Sequence, residues 1–284
     1  MLLDDLVSKS IYIIREAVIA AERANKNIAM LWSTGKDSTT TLYLARQVKP
    51  DIFVIHLDTG FKFPEIYEFR DRLAEEWNLN LVVKRRNTNV TPFNSDRFTC
   101  CMERKTKALR EVIDELNIGY LIVSIRNDEH VVRGKERHFS PRYDADALRM
   151  LQEAYGEDAV WMNDEIKKQA EEGGWIYLDQ PVELWDLYQT DFPGAHHVRV
   201  HPLLDWPLEA VWEFIRREKI PLNPLYLQGY SSLGCWPCTQ KTMAPSKTID
   251  EFIEKVKSVE ERGGRAQDKE DVDTMLMLRK AGYP

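Results

Sequence analysis

The stretch from Asn27 to Leu44, NIAMLWSTGKDSTTTLYL, constrains this chain more than any other. Ile28 to Trp32 is an apolar run too short for a buried helix and bounded by polar residues, which reads as a central strand. Ser33-Thr34-Gly35-Lys36-Asp37-Ser38 follows, and then helix-forming residues with Leu42 and Ala45 on one face. A strand that runs through a small polar turn into a helix makes an anion site. The first amides of the helix have no internal partner and the dipole end is positive, so a phosphate group satisfies both. Gly35 lets a ligand approach the backbone, Ser33 and Ser38 offer hydroxyls, and Lys36 adds charge. Ser, Thr and Asp also suit an ordinary helix cap, so these six residues alone fit a plain helix start as well.

The 284 residues suffice for a full core, as one large α/β domain or a domain with a tail. No apolar run approaches the roughly 20 residues of a membrane span, and the acidic start MLLDDLVSKS is unlike a signal peptide, so a cytoplasmic location is expected. The formal net charge of −7 argues against strong unaided binding to nucleic acid, which depends on phosphate neutralisation.

Leu6 to Ala24 repeats Ile11, Ile14, Val18 and Ala21 at helical spacing and reads as an amphipathic helix on the sheet. Asp51 to Asp58 reads as a second strand, ending in Asp58-Thr59-Gly60, where ligands of open parallel sheets sit; an Asp before Gly is also a common turn former. A helix from Pro64 to Trp77, a strand over Leu81–Lys84, a loop from Asn87 to Phe98, a helix over about Glu103–Leu116 and a strand over Tyr120–Ile125 follow. This alternation means a doubly wound, mainly parallel sheet with helices on both faces. The block from Arg126 to Arg142 carries Arg126, Arg133, Lys135, Arg137 and Arg142 directly after a strand end, which suits an oxyanion subsite, although Asp128, Glu129 and Glu136 also fit a solvated mixed-charge loop. Tyr143 to Gly174 reads as an acidic helical insertion. A helix begins near Pro207 with Leu208, Val211, Trp212 and Ile215 as its core stripe. The resulting division is 1–240 for the α/β domain, with the insertion at about 143–174, and 241–284 for a helical tail packed on it.

All four cysteines fall in two pairs, Cys100 and Cys101 in TCCMERK, and Cys235 and Cys238 in GCWPC. Thiolates are soft ligands suited to iron–sulfur clusters or zinc. Structural zinc, disulfides and buried inert thiols stand as alternatives.

The Ser33–Ser38 loop differs from G-x-x-x-x-G-K-[ST] and resembles the S-x-G-x-D-S pyrophosphate loop (PP-loop) of the adenine nucleotide α-hydrolase-like superfamily, which includes ATP pyrophosphatases and phosphosulfate reductases. HLDTGFKFPEIYEFRDRLA, DEHVVRGKERHFSPR, PVELWDLY, VRVHPLLDW and the C-terminal ERGGRAQDKEDVDTMLMLRKAGYP resemble the small, ATP-binding subunit of bacterial sulfate adenylyltransferase. The cysteines depart from that subunit. A Cys-Cys pair with a later Cys-x-x-Cys resembles the [4Fe–4S] site of adenosine phosphosulfate reductases and of ATP pyrophosphatases serving DNA phosphorothioation.

The resemblance implies ATP and Mg²⁺ held by Ser33, Thr34, Gly35, Lys36, Asp37 and Ser38, with Asp58, Arg126 and Lys135 also at the nucleotide. Lys36, Asp37, Arg133 and Arg137 are the candidate catalytic residues, and Cys100, Cys101, Cys235 and Cys238 the candidate cluster ligands. The first functional reading is an ATP pyrophosphatase that adenylylates an acceptor for sulfur incorporation, with a cysteine desulfurase and DNA-processing subunits as partners. The second is the sulfate adenylyltransferase small subunit, driven by a GTPase subunit. A reductase lacks its nucleophile, because the tail ends AGYP without a cysteine. A non-catalytic nucleotide- or zinc-binding protein is the remaining alternative, and a homo-oligomer is compatible with any of these.

Overall fold

Six strands form one sheet in the order β3-β2-β1-β4-β6-β5 in the computed structural model, which describes residues 2–155, 175, 189–266 and 271–284. The strands are β1 (Asn27–Leu31), β2 (Phe53–Leu57), β3 (Asn80–Lys84), β4 (Ile118–Ile122), β5 (Phe139–Arg142) and β6 (His197–Val200). All neighbours run parallel except β5, which lies antiparallel to β6 at the edge, with Phe139 opposite Val200 and Arg142 opposite His197. The sheet is the doubly wound, mainly parallel one that the alternating sequence pattern implies.

The pleat sends successive side chains to opposite faces, and β1 divides accordingly. Ile28 and Met30 join the core beneath α1 (Leu3–Arg23) and α2 (Lys36–Val48), while Ala29 joins the opposite core. On the first face α1 buries Leu6, Ser10, Ile13, Ile14, Ala17 and Ala21, one stripe at helical spacing. Here α3 (Pro64–Glu76) adds Phe69 and Leu73, and the Leu208–Glu218 helix adds Val211, Trp212, Phe214 and Ile215. Trp206 Nε1 donates to Ser10 Oγ at 2.9 Å, and that hydroxyl donates to the Pro202 carbonyl at 2.8 Å, so α1 is tied to the segment after β6. On the other face Ala108, Leu109, Val112 and Ile113 of α5 (Lys107–Glu115) meet Ile55 and Leu121.

The helix expected from Glu103 starts earlier. α4 (Arg97–Cys101) begins where the Asp96 side chain accepts from Thr99 N at 2.8 Å, and a π-helical turn, Met102–Thr106, joins it to α5. The capping Asp96 sits among the turn formers Asn94 and Ser95, which hid the helix start in the sequence. The strands are also shorter than expected: β2 ends at Leu57 and β4 at Ile122, which leaves Asp58 and Ile125 in the loops at the carboxyl edge. A helix spans Ala145–Tyr155 where the insertion begins. The rest of that insertion, apart from its outer neighbour Trp175, and the PVELWDLY segment lie outside the described residues. Among the described residues no helix is long and apolar enough to cross a membrane.

Candidate active site

The strand order reverses between β1 and β4, so the loops that leave these two neighbours diverge and open a crevice at the carboxyl edge, where ligands of such sheets bind. A cavity of about 170 Å³ lies there. Its lining includes Ser33, Gly35, Lys36, Asp37 and Ser38 after β1, and Ser124, Ile125, Glu129 and Arg133 after β4. The turn is internally braced. Ser38 Oγ accepts from Ser33 N at 3.2 Å and donates to the Gly35 carbonyl at 3.1 Å, while the two serine hydroxyls lie 3.0 Å apart. Lys36 N donates to the Tyr226 hydroxyl at 2.8 Å, and the next first-turn amides, of Asp37 and Ser38, have no intrahelical partner by their position in the helix. Gly35 is not the residue that strains the loop. Its φ is −78°, and an added Cβ would meet Ser33 Oγ at an ordinary 3.4 Å. Thr34, at φ 66°, takes the left-handed conformation instead.

A network of charges joins the two halves. Lys36 Nζ donates to Asp37 Oδ2 at 2.7 Å and pairs with Glu261. The Arg126 side chain, fully buried, pairs with Asp37, with Asp128 at 2.9 Å and with Glu261 at 2.6 Å. Arg133 Nη1 reaches Glu129 at 2.7 Å, and Arg262 pairs with the other oxygen of the same carboxylate. Burial alone would lower the Lys36 ammonium and raise the Asp37 and Glu129 carboxyls. The opposite charges win in each case: Asp37 and Glu261 hold Lys36 above the usual lysine value, Arg126 and Lys36 hold Asp37 below the carboxylate range, and Arg133 and Arg262 do the same for Glu129. The cavity lining is rich in cations, with Lys62, Lys105, Arg262 and Arg265 in addition to Lys36 and Arg133.

The remaining candidates divide. Asp58 Oδ1 accepts from Gly60 N and from the Tyr67 hydroxyl, each at 2.8 Å, so its carboxylate organises the turn after β2 and is not part of the cavity wall. Arg137 Nη1 donates to the Glu136 carbonyl at 2.8 Å, so one arm of its guanidinium is engaged with the backbone beside β5 while Arg133 faces the cleft. Only the backbone of Lys135 is described. Lys62, Lys105, Tyr226, Glu261, Arg262 and Arg265 also line the cleft; none was singled out as a site residue, although Lys62, Lys105, Glu261, Arg262 and Arg265 lie in segments noted in the sequence.

The Cys-x-x-Cys loop adjoins the cleft, whose wall includes Gly234 and Lys62. The Cys235 backbone bridges to Lys62, and its sulfur lies 3.2 Å from the Thr59 hydroxyl. Burial and the neighbouring Cys101, Cys235 and Cys238 push the Cys100 thiol up to about 11. Burial would do the same to Cys235, but Lys105 and Lys62 outweigh it and bring that thiol to about 7. Among the described residues no group of three His, Cys, Asp or Glu side chains is drawn together around one metal-ion position.

A helix that starts from an S-x-G-x-D-S turn beside a cation-lined cleft, at the reversal point of a parallel sheet, defines a nucleotide-binding α/β protein of the PP-loop kind. The chain belongs to the phosphoadenosine phosphosulfate reductase domain family, which matches residues 27–241. It is 31% identical to sulfate adenylyltransferase subunit 2 of Zymomonas mobilis subsp. mobilis, covering 99% of this chain and 97% of that one. It is 30% identical, with the same coverage, to the protein of that name from Escherichia coli O9:H4. Among solved structures it resembles a phosphoadenylyl-sulfate reductase from Candida auris in a phosphate complex, with TM-score 0.52, 14% identity and coverage of 80% and 90% of the two chains. It also resembles a Candida glabrata FMN adenylyltransferase bound to FMN and an ATP analogue, with TM-score 0.51, 16% identity and coverage of 89% and 75%. Both structural likenesses concern the fold.

Proposed function

We propose that this chain binds ATP in the β1–β4 crevice and transfers its adenylyl group to an oxyanion acceptor, with sulfate as the acceptor. The observation that carries this reading is that Lys36 and Arg126 meet at the first turn of α2 through Asp37 and Glu261, while Arg133 lines the same cleft. In the transfer a sulfate oxygen forms a bond to the α-phosphorus, the bond from that phosphorus to the α–β bridging oxygen breaks, and its electron pair leaves with pyrophosphate. Sulfate is already ionised, so no general base is required. Lys36 and the amides of Asp37 and Ser38 receive the negative charge that grows on the leaving group. Magnesium is a hard cation that takes oxygen ligands and would neutralise the pyrophosphate; the cleft-lining carboxylate of Asp37 is an oxygen donor suited to hold it. The likeness to a small subunit supports a GTPase companion that drives the unfavourable equilibrium, as the alternative sequence reading has it.

The products test this reading. Sulfate-dependent turnover should yield AMP-containing product and pyrophosphate, and Ser38→Ala should slow it by at least about tenfold if the hydroxyl supplies about 1.4 kcal/mol at the transition state. Release of ADP and phosphate would overturn it.

A specific observation favours a second reading, sulfur incorporation assisted by a [4Fe–4S] cluster. Lys62, Lys105 and Arg265 place positive charge around Cys235, which would offset an anionic thiolate cluster. Cys100, Cys101, Cys235 and Cys238 would hold it, and a cluster there would handle electrons or sulfur beside the nucleotide. In that case the acceptor is a DNA phosphate, and a cysteine desulfurase and DNA-processing subunits supply sulfur and strand. Anaerobically purified protein should then carry about four irons and four sulfides per chain, with broad absorbance near ~400 nm. Cys238→Ser should bleach it while nucleotide binding persists; colourless protein with stoichiometric zinc is the contrary result.

A further inference from the structure

Glu261 is where the C-terminal part of the chain meets the phosphate loop. One carboxylate oxygen takes the Lys36 ammonium and the other takes Arg126 Nη2, and the side chain is 12% exposed. Its own carbonyl accepts from Ser231 Oγ at 2.8 Å. Lys36 and Arg126 are therefore already matched by carboxylates, and a polyphosphate can reach them only by displacing one. Asp37 belongs to the first turn of α2, and Asp128 is held by the Leu208 amide at 2.9 Å. Glu261 stands instead on a turn beyond the Ile249–Val256 helix, so it is the carboxylate best able to leave.

The same segment is fastened a few residues later to the Cys-x-x-Cys loop. Gln240 N donates to the Gly264 carbonyl at 2.8 Å, and Ala266 N donates to the Cys238 carbonyl at 3.1 Å. Thr239 and Arg265 form a β-bridge, and the Arg265 guanidinium donates to the Leu233 carbonyl. The fit is close: a Cβ on Gly264 would lie 2.5 Å from the Gln240 carbonyl oxygen, and one on Gly234 would lie 2.6 Å from the Arg265 guanidinium. One short stretch of backbone thus touches both the phosphate loop and the cysteine loop.

We propose that Glu261–Ala266 is a strap in which the Glu261 carboxylate keeps the place of the nucleotide's terminal phosphates, so that nucleotide binding frees Glu261 and loosens the strap's grip on the Cys235–Cys238 loop. This rests on the nucleotide reading given above. The device links occupancy of the phosphate site to exposure of the thiols, and it makes the link reciprocal, since whatever pins the cysteine loop to the strap also opposes nucleotide binding.

Amide hydrogen exchange with α,β-methylene-ATP, which α–β cleavage cannot consume, tests the strap on the full chain. Peptides containing Gln240 and Ala266 should exchange at least about tenfold faster with the analogue bound, a change equivalent to about 1.4 kcal/mol in local opening. Glu261→Gln should exchange as fast without nucleotide and bind the analogue several-fold more tightly. Unchanged or slower exchange on binding would overturn the strap, and the wild-type measurement decides this even if the variant folds poorly. Weaker binding by Glu261→Gln would overturn it too, because the carboxylate would then be holding the nucleotide's magnesium. If the wild-type chain binds no nucleotide at all, the nucleotide reading fails and the strap falls with it, an outcome distinct from binding without a change in exchange.

Discussion

Arg126→Met is expected to lower the unfolding free energy by about 3–5 kcal/mol, the range found when one partner of a buried ion pair is removed. The guanidinium is fully buried among Asp37, Asp128 and Glu261. Asp128 is 43% exposed and water can take over its share, whereas Asp37 and Glu261 are only 16% and 12% exposed and would be left facing one another with Lys36 alone between them. The loss should depend on pH in a defined direction. The folded-state pKa of Asp37 is held below its ordinary 3.8, so its contribution is fully present above that value and disappears as pH falls through the lower folded value. The gap between wild type and variant, measured by urea unfolding, should therefore be widest near neutrality and shrink below pH 3.8. Equal gaps at both ends would mean that Arg126 acts by filling space rather than by charge. Turnover should be abolished with the network, since Asp37 and Glu261, the two carboxylates that hold Lys36, both lose their pairing with Arg126.

Arg133→Ala should reduce turnover by about 10²–10³-fold, the effect of removing one preorganised charge donor from a developing anion. Arg133 uses one nitrogen on Glu129 at 2.7 Å and presents the remainder of its fork to the cleft. Nucleotide affinity should change by no more than about threefold if Arg133 acts on the acceptor side and the proposed phosphate contacts are made by α2. Arg137→Ala serves as the comparison. Its guanidinium donates to the Glu136 carbonyl, so turnover should stay within about threefold of wild type. Steady-state kinetics with separate nucleotide titrations distinguishes the cases. A matching loss in both variants, or a loss confined to nucleotide affinity in Arg133→Ala, would return these residues to a merely structural role.

The parallel sheet was legible because Ile28–Trp32, Asp51–Asp58 and Tyr120–Ile125 are apolar runs separated by helical periodicity, and burial on both faces demands that composition. The phosphate loop was legible because its residues are contiguous. Glu129, Glu261 and Arg262 were not, since an ion-pair network is assembled from three distant segments and no local spacing announces it. Asp58 fits both a ligand and a turn former in the sequence, and Gly60 N and the Tyr67 hydroxyl both donate to one of its oxygens. The left-handed φ of the loop falls on Thr34, a residue type that gives no sequence signal for it.

The two borders of the sheet are unlike, and this bears on how the chain behaves in a crowded solution. At one border β5 carries Pro141, which has no amide to offer, and Arg142, whose buried guanidinium is tied to Glu136. At the other, β3 offers a short run with Val83 44% exposed, closed by Lys84 and its ion pairs to Glu111 and Glu115. Among the described residues, then, a stray strand from another molecule finds a receptive ladder on the β3 side, and a single lysine stands sentinel there against aggregation.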